Sequence, residues 1–533
     1  MNEDADTRPA PAAPTGGGPE AQEPLRGGRV LMQRESIRGS ALLLSGRAIS
    51  LVVNFLVHVL TIHYLSTLDY GVFGFALAFA EYGAILIAFG MAKSVARFAP
   101  IYDERGDWGR VLGTAVLAAG TILALTIASV VVGVLGFERI AGALELEPAS
   151  RGVFAALCLL APLTAIDSLL ESIVATLGAT RAVFARRYVV RPGLRLVAVV
   201  SVIAFGGGVQ AVAIGHAAAA AVGVVAYLAL LVSVVRRLGL WPRIRATRVV
   251  LPTRELLWYS MPQVGSDLNL LARASLLLVA LQQSHGAAGV AAFLVVQPLA
   301  KLNRAVIEAF SVLYAQTASR LWAREEHAQL SEHYWRTSGW ITLFSFPLFA
   351  VTFVFAEPVT VLVLGERYAA SSDVLALVSL GFFAHGALGF NGRTLAVEGR
   401  VGLVFALELA TTAVAVALYA ALVPERGALG AGVASCGAFL AYGAIKEAGL
   451  LAASRSVRLQ PAYLRPILLV AAAGALLWVA QDALGLPLWV GLPAVAAVWL
   501  ALVAACRDLL DVRSTIPELG RLGPIGRWLS GPA

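Results

Sequence analysis

Residues 45–65 read SGRAISLVVNFLVHVLTIHYL, an apolar stretch that contains one arginine, Arg47, and no acidic residue. A bilayer core of about 30 Å is crossed by a helix of about 20 apolar residues. The stretch therefore predicts a membrane-spanning helix with a positive charge that its own helix does not neutralise. Such a charge either snorkels to the membrane surface along its own side chain or faces a water-filled cavity where an anion can bind.

The rest of the chain repeats this apolar pattern. The protein has 533 residues, of which 59% are hydrophobic and 14% are charged, whereas soluble domains carry about 25% charged residues. We therefore predict an all-α polytopic membrane protein with about fourteen transmembrane helices. The predicted spans are 40–63, 71–92, 111–136, 152–178, 189–206, 209–234, 256–282, 287–315, 337–357, 371–390, 401–422, 428–450, 463–481 and 486–506.

The positive charges orient these spans. With both termini in the cytoplasm, most of the 41 Lys and Arg residues fall in predicted cytoplasmic segments, as the positive-inside rule requires. The net charge of +8 thus reflects membrane topology, and no nucleic-acid partner is predicted. The loops between the spans are short, which argues against a membrane enzyme with a large catalytic loop.

The order of spans and loops predicts two similar halves. The stretch DYGVFGFALAF (69–79) aligns with AAGVAAFLVVQ (287–297), and internal repeats are typical of carriers whose substrate site lies between the halves. The predicted units are a disordered cytoplasmic tail (1–37), an N-terminal six-helix lobe (38–235), a basic cytoplasmic linker (236–255), a C-terminal six-helix lobe (256–452), a pair of additional helices (453–506) and a cytoplasmic C-terminal tail (507–533).

Span eight carries polar residues at helical spacing. Four of them follow one another at intervals of 4, 3 and 4 positions: Gln297, Lys301, Arg304 and Glu308. On a continuous helix this spacing places them on one face. Because Glu308 can neutralise only one of the two cations, one positive charge on this face needs an acid from another helix or an anionic substrate.

Five further acidic residues lie within predicted spans: Glu81, Asp167, Glu171, Asp267 and Glu408. Asp167 and Glu171 are four residues apart on one helix, so their like charges can hold a proton or Na⁺ between them. The alternative is a static salt bridge from these acids to Arg47 or Arg273. Spans five and six and the last two spans are predicted to have apolar interiors that enclose the polar helices.

Three stretches of the chain resemble a known family. They are HYLSTLDYGVFGFALAFAEYGAILIAFGMAKSVARFAPIYDERGD (63–107), SMPQVGSDLN (260–269) and LVLGERYAASSDVLALVSLGFF (362–383). With the predicted spans they make residues 38–510 similar to the bacterial polysaccharide (O-antigen type) flippases of the multidrug/oligosaccharidyl-lipid/polysaccharide (MOP) exporter superfamily.

This resemblance implies a V-shaped carrier, like the multidrug exporters called MATE, in the bacterial cytoplasmic membrane. It implies alternating access that moves an undecaprenyl-pyrophosphate-linked oligosaccharide to the outer leaflet, coupled to H⁺, Na⁺ or the membrane potential, with no other cofactor. Membrane lipids, a polysaccharide polymerase and glycosyltransferases are the other expected partners. The candidate substrate-binding residues are Arg47, Arg273, Lys301 and Arg304, and the candidate cavity or coupling residues are Glu81, Asp167, Glu171, Asp267, Gln297, Glu308 and Glu408.

Other functions stay open at this point. A cation-coupled multidrug exporter of the same superfamily needs a net acidic cavity, and the deep charged residues named above comprise four cations and six acids. A lipid II flippase or a teichoic-acid exporter would share the mechanism and differ in the glycan. A membrane-embedded glycosyl or acyl transferase is the remaining alternative, and the predicted spans and the loops between them lack its Asp-x-Asp metal motif.

Overall fold

The computed structural model describes residues 46–47 and 49–510. The predicted N-terminal tail, the first residues of span one and residues 511–533 of the predicted C-terminal tail lie outside the described residues.

Throughout the described ranges the chain is helical and contains no β-strand. Four short segments have other helical geometry: a π-helix at Arg186–Val190 and 3₁₀ turns at Lys301–Asn303, Glu366–Ser371 and Pro461–Tyr463. The α-helices are α1 (Ile49–Tyr64), α2 (Thr67–Ala88), α3 (Met91–Glu104), α4 (Trp108–Ala143), α5 (Pro148–Cys158), α6 (Leu160–Thr176), α7 (Thr180–Ala185), α8 (Arg191–Ala204), α9 (Val209–Arg237), α10 (Trp241–Ala246), α11 (Thr253–Leu294), α12 (Gln297–Ala300), α13 (Arg304–Ala323), α14 (His327–Phe353), α15 (Ala356–Leu364), α16 (Ser372–Ala387), α17 (Asn391–Val397), α18 (Val401–Ala453), α19 (Leu464–Leu484) and α20 (Leu488–Leu510).

Within the described part of the chain, nine helical segments are long and apolar enough to cross a membrane. The number becomes ten when α14 and α15, which meet at a bend of 72°, are counted as one span. The chain is thus a multi-pass membrane protein, and the predicted number of fourteen spans is not confirmed.

Two of the helices are too long for a single crossing. At 1.5 Å per residue the 53 residues of α18 would extend about 80 Å if the helix were straight. Instead, α18 is broken at Gly427 (φ 57°), and α11 is broken at Gly286 (φ 60°). Glycine adopts this left-handed backbone without steric cost. Both breaks fall between neighbouring predicted spans, seven and eight in α11 and eleven and twelve in α18.

The helices pack as two groups. In the first group, α2 packs against α5 and α6, α3 packs against α4, and α9 packs against α6 and α8. In the second group, α18 packs against α11, α16 and α17, and α14 packs against α13, α16, α19 and α20. The main contact between the groups is α2 on α11. There Gly71 lies so close to the backbone of Ala287 that a Cβ at Gly71 would come within 1.9 Å of the Ala287 oxygen. The two stretches aligned as a repeat therefore lie against each other.

Polar contacts also join the groups at both ends of this seam. At one end His63 Nε2 lies 2.9 Å from the Val363 carbonyl oxygen, and the Arg367 guanidinium donates to the Ile62 carbonyl. At the other end the hydroxyls of Ser94 and Ser260 are 2.8 Å apart. The Ser94–Ser260 contact thus joins α3 to α11, whereas the bonds of Ile62 and His63 join the end of α1 to α15 and the turn that follows it.

Candidate functional site

A central cavity of about 420 Å³ lies among the helices of the second group, where Tyr82 on α2 adds one residue of the first group to its wall. It is bounded by α2, α11, the α12–α13 region, α16 and α18. Four of the residues predicted from the sequence line it together: Arg273, Gln297, Lys301 and Arg304. Aromatic rings from several helices, including Tyr82, Phe293, Phe382, Tyr419 and Tyr442, complete the wall.

The helix that carries the polar residues of span eight is not continuous, so the prediction of one uninterrupted helix is wrong. α12 ends at Ala300, a 3₁₀ turn follows, and α13 begins at Arg304. The Asn303 amide donates to the Ala300 carbonyl oxygen at 3.1 Å and to the Thr352 hydroxyl at 3.0 Å. Such a side-chain bond competes with the α-helical pattern, and the turn that results is short enough to keep Lys301 and Arg304 on the cavity wall.

Two of the central cations contact no carboxylate among the described residues. The Arg273 guanidinium lies 5.4 Å from the ring of Tyr442, and its buried Nε has no hydrogen-bond partner in the described part of the chain. Cation–π contact stabilises a charge without neutralising it. Lys301 is exposed and forms no ion pair within residues 46–510 as described. Both side chains are therefore available to an anionic ligand.

Arg47 is paired with a carboxylate from another helix, so it is not the unpaired cation expected of a substrate-binding residue. Its guanidinium donates to the Glu308 carboxylate, whose other oxygen lies 3.7 Å from Arg304 Nη2. Glu308 is 261 residues away in sequence, so no local pattern could show this pairing. The Glu308 carboxylate can neutralise only one of the two guanidinium groups, so Arg47, Arg304 and Glu308 together keep one positive charge.

A second cavity of about 370 Å³ adjoins the first and shares Arg304, His385 and Tyr442 with it. Its wall adds Arg393, Lys446 and two acids, Glu308 and Glu408. The Lys446 ammonium lies 2.9 Å from the Glu408 carboxylate and 2.5 Å from the Tyr442 hydroxyl.

Lys446 and Arg393 belong to the site but are not indicated by the sequence pattern, because Lys446 lies near the end of predicted span twelve and Arg393 just beyond predicted span ten. The sequence signal that could have indicated Lys446 is its spacing of four residues from Tyr442, which places both on one helix face.

The two adjoining cavities are net cationic. Their walls contain two carboxylates, those of Glu308 and Glu408, and five cationic side chains: Arg273, Lys301, Arg304, Arg393 and Lys446. With histidine neutral, the net charge is +3. The count of deep residues in the sequence, in which acids outnumber cations, therefore does not describe the cavity.

The other predicted acids lie apart from these cavity walls. Asp167 accepts a hydrogen bond of 2.6 Å from Arg186, and Glu171 accepts one of 2.9 Å from Arg187. Both acids thus form ion pairs within the first group of helices, and the partners are not Arg47 or Arg273, which the alternative of a static salt bridge named; a proton or Na⁺ held between the two acids stays a prediction.

Two acids remain. Asp267 pairs with Lys93 at 3.0 Å. Glu81 is exposed and close enough to Lys301 and Arg195 to interact electrostatically with both.

Predicted span five does not have an apolar interior. Arg191 and Arg195 lie on α8 and, with Arg186, line a small cavity beside Asp167 in the first group of helices. Both lie in the first two turns of predicted span five (189–206), where positive charge is expected at the cytoplasmic end of a helix, so the sequence pattern did not indicate a site. No cluster of three or more His, Cys, Asp or Glu side chains suited to a metal ion occurs in the described ranges.

Comparison with known proteins gives a family and a fold. A family model described as "Polysaccharide biosynthesis protein" matches residues 36–314. Among curated proteins, none matches this chain. The fold is similar to that of the lipid II flippase MurJ in an inward closed conformation, with a TM-score of 0.65 and 14% identity over 88% of this chain and 100% of that one.

Two other solved structures share the fold. One is an inward-facing multidrug resistance MATE family transporter of the MOP superfamily (TM-score 0.57, 15% identity, 81% of this chain and 98% of that one). The other is a MOP superfamily transporter from Pyrococcus furiosus whose binding pocket is described as having reverse polarity (TM-score 0.52, 15% identity, 82% and 95%). These likenesses confirm the predicted all-α transporter fold.

Proposed function

This chain belongs to the polysaccharide biosynthesis protein family and has the fold of MOP superfamily transporters, and from that premise we propose that it is a flippase and not an enzyme. Its substrate is an undecaprenyl-pyrophosphate-linked oligosaccharide. It moves this lipid from the inner to the outer leaflet of the bacterial cytoplasmic membrane by alternating access, with both termini in the cytoplasm.

The net positive charge of the two adjoining cavities is the observation that carries this proposal. A pyrophosphate headgroup is anionic, and attraction between charges is several-fold stronger in a medium of low dielectric constant than in water. Arg273 and Lys301 are the cations best suited to receive it, since neither contacts a carboxylate in the described structure. Hydroxyl and amide groups on the same walls, such as those of Tyr442 and Asn391, suit the hydroxyl groups of sugars.

Glu308 couples headgroup binding to the contact between the halves. Its carboxylate contacts Arg47, beside α1, and Arg304, at the start of α13. A diphosphate in the cavity offers these guanidinium groups a more highly charged partner, because it can accept bidentate hydrogen bonds from arginine. Binding of the substrate then weakens the attachment of Glu308 to Arg47. In this mechanism the loaded carrier separates more easily at the α1–α13 contact than the empty one.

Transport in vesicles tests the proposal. The purified chain is reconstituted into liposomes that contain a labelled polyprenyl-pyrophosphate oligosaccharide, and outward movement is followed with a membrane-impermeant lectin. The double variant Arg273→Gln/Lys301→Gln should lower the transport rate at least about tenfold, since a loss of 1.4 kcal/mol in binding is a factor of ten. The matched control is Arg320→Gln, which removes an exposed charge of α13 outside both cavity walls. Transport at the wild-type rate by the double variant would contradict the proposal.

The same vesicles separate the competing functions. A multidrug exporter would extrude ethidium, and its cavity should attract cations, which a net charge of +3 does not. A lipid II flippase or a teichoic-acid exporter would prefer a different glycan on the same diphosphate. We also propose that transport is coupled to H⁺ or Na⁺, and we assign no residue to this coupling. The transport rate under an imposed gradient of each ion across the vesicle membrane tests it.

A further inference from the structure

A third, much smaller cavity lies inside the first group of helices. It is bounded by α6, the π-helical turn, α8 and α9, and its volume of about 20 Å³ is enough for one occupant of about the size of a water molecule. No residue of its wall belongs to the central cavities. The lining residues are Leu163, Thr164, Asp167, Arg186, Arg191, Arg195, Ala219 and Ala220.

Arg186 is the most deeply buried charge of this wall. The residue is 6% exposed, and its Nη2 donates to Asp167. Its Nε and Nη1 are buried and have no hydrogen-bond partner in the described ranges. A buried donor without a partner destabilises the folded protein, and more so when the group is charged. A ligand with acceptor groups would remove this cost.

The fold around Arg186 holds the guanidinium in place. A Cβ at Gly223 on α9 would come within 2.4 Å of Arg186 Nη2, so only glycine leaves room for the side chain in this position. One turn further along α9, the ring of Tyr227 lies 5.2 Å from the guanidinium carbon. The position of the buried charge is therefore set by helix packing and does not depend on Asp167 alone.

The charges around the cavity do not balance. Arg191 Nη1 lies 3.6 Å from Asp167, which it shares with Arg186. Arg195 has no carboxylate within ion-pair distance among the described residues, and the next acid that acts on it is Glu81. Counting Asp167 and Glu81 against the three arginines leaves one positive charge in a region that the membrane surrounds.

We propose that this cavity binds one monovalent inorganic anion of the size of chloride. Arginine offers only hydrogen-bond donors, so the wall suits an acceptor that carries negative charge. A cavity of this volume suits a single small ion better than a phosphate or a lipid headgroup. A water molecule would fit but would leave the excess positive charge uncompensated. This site is independent of the proposed transport function, and binding can be measured without a lipid substrate.

Thermal unfolding of the purified full-length chain in detergent tests the site. At equal ionic strength, sodium chloride and sodium bromide should raise the unfolding temperature in a saturable way, whereas sodium gluconate and sodium sulfate should not. Arg195→Gln should abolish the chloride-dependent rise. In gluconate this variant should unfold at or above the wild-type temperature, because it removes a repelling charge without leaving a carboxylate unpaired.

Two matched variants locate the anion. Arg187→Gln, which removes the partner of Glu171 outside the small cavity, should keep the chloride-dependent rise. Arg273→Gln/Lys301→Gln in the central cavity should keep it as well, and loss of the rise in this variant alone would place the anion there and overturn the proposal. Binding of radioactive chloride to the wild-type protein gives a second measurement that needs no variant. Absence of competable binding, or equal unfolding temperatures in all four salts, would mean that the cavity holds only water.

Discussion

The contact of Gly71 with Ala287 allows a quantitative prediction for Gly71→Ala. The added methyl group would lie 1.9 Å from the Ala287 oxygen, whereas an ordinary contact needs more than 3 Å. Because the neighbour is backbone, α2 and α11 must separate by more than 1 Å or one helix must bend. Overpacking of this kind typically costs about 1–3 kcal/mol, and we expect a loss of stability in the upper part of that range.

The assay is thermal unfolding of the purified chain, followed by helical circular dichroism, together with transport in vesicles. The matched control is Gly120→Ala on α4, where no atom lies within 4 Å of the added methyl group. Alanine is the better helix former there by about 0.5–1 kcal/mol, so this variant should unfold at the wild-type temperature or above it. If Gly71→Ala unfolds at the same temperature as the control and transports at the wild-type rate, then α2 and α11 do not pack as closely as described.

Three other variants follow from the site. Glu308→Gln should bind the diphosphate lipid more tightly and release it more slowly, because Arg47 loses its competing carboxylate; equilibrium binding and single-turnover flipping measure the two effects. Lys446→Met should lower stability by about 3–5 kcal/mol, since it leaves Glu408 without its buried partner, and the double variant Lys446→Met/Glu408→Gln should recover part of this loss in thermal unfolding. Gly223→Ala should displace the guanidinium beside it and reduce the chloride-dependent rise in unfolding temperature, whereas an unchanged rise would show that the guanidinium does not bind the anion.

Most of the helices could be predicted from the sequence because a membrane span leaves a local signal. A run of about 20 apolar residues is visible without knowledge of its neighbours, and the breaks at Gly286 and Gly427 fall where two predicted spans meet. The interruption at Lys301–Asn303 was not predictable in this way. It depends on the hydrogen bond from Asn303 to Thr352, which only the packing of α14 against this segment provides.

The charged residues of the site, too, could be predicted only where a local sequence pattern marks them. Spacing along span eight correctly grouped Gln297, Lys301 and Arg304 on one cavity wall. Their partners come from distant parts of the chain, as the contact of Glu308 with Arg47 illustrates. Counting charges by depth could not tell which acids face the cavity. It also did not show that Arg195, inside predicted span five (189–206), lies beside Asp167 in a buried cavity, because that contact depends on the packing of different helices.

The two seams between the groups of helices differ in how they resist separation. Along α2 and α11 the backbones touch at Gly71, and the contact of the Ser94 and Ser260 hydroxyls continues the seam onto α3. Between α1 and α13 the described ion pair joins side chains that are 43% and 41% exposed, and such a pair contributes at most about 1 kcal/mol. At its other end α1 is held to the α15 region by the bonds of Ile62 and His63, so the weak contact is confined to the end at Arg47. In the proposed carrier, separation begins at that end of α1, and the width of the gap that it opens there limits the size of the glycan that can enter.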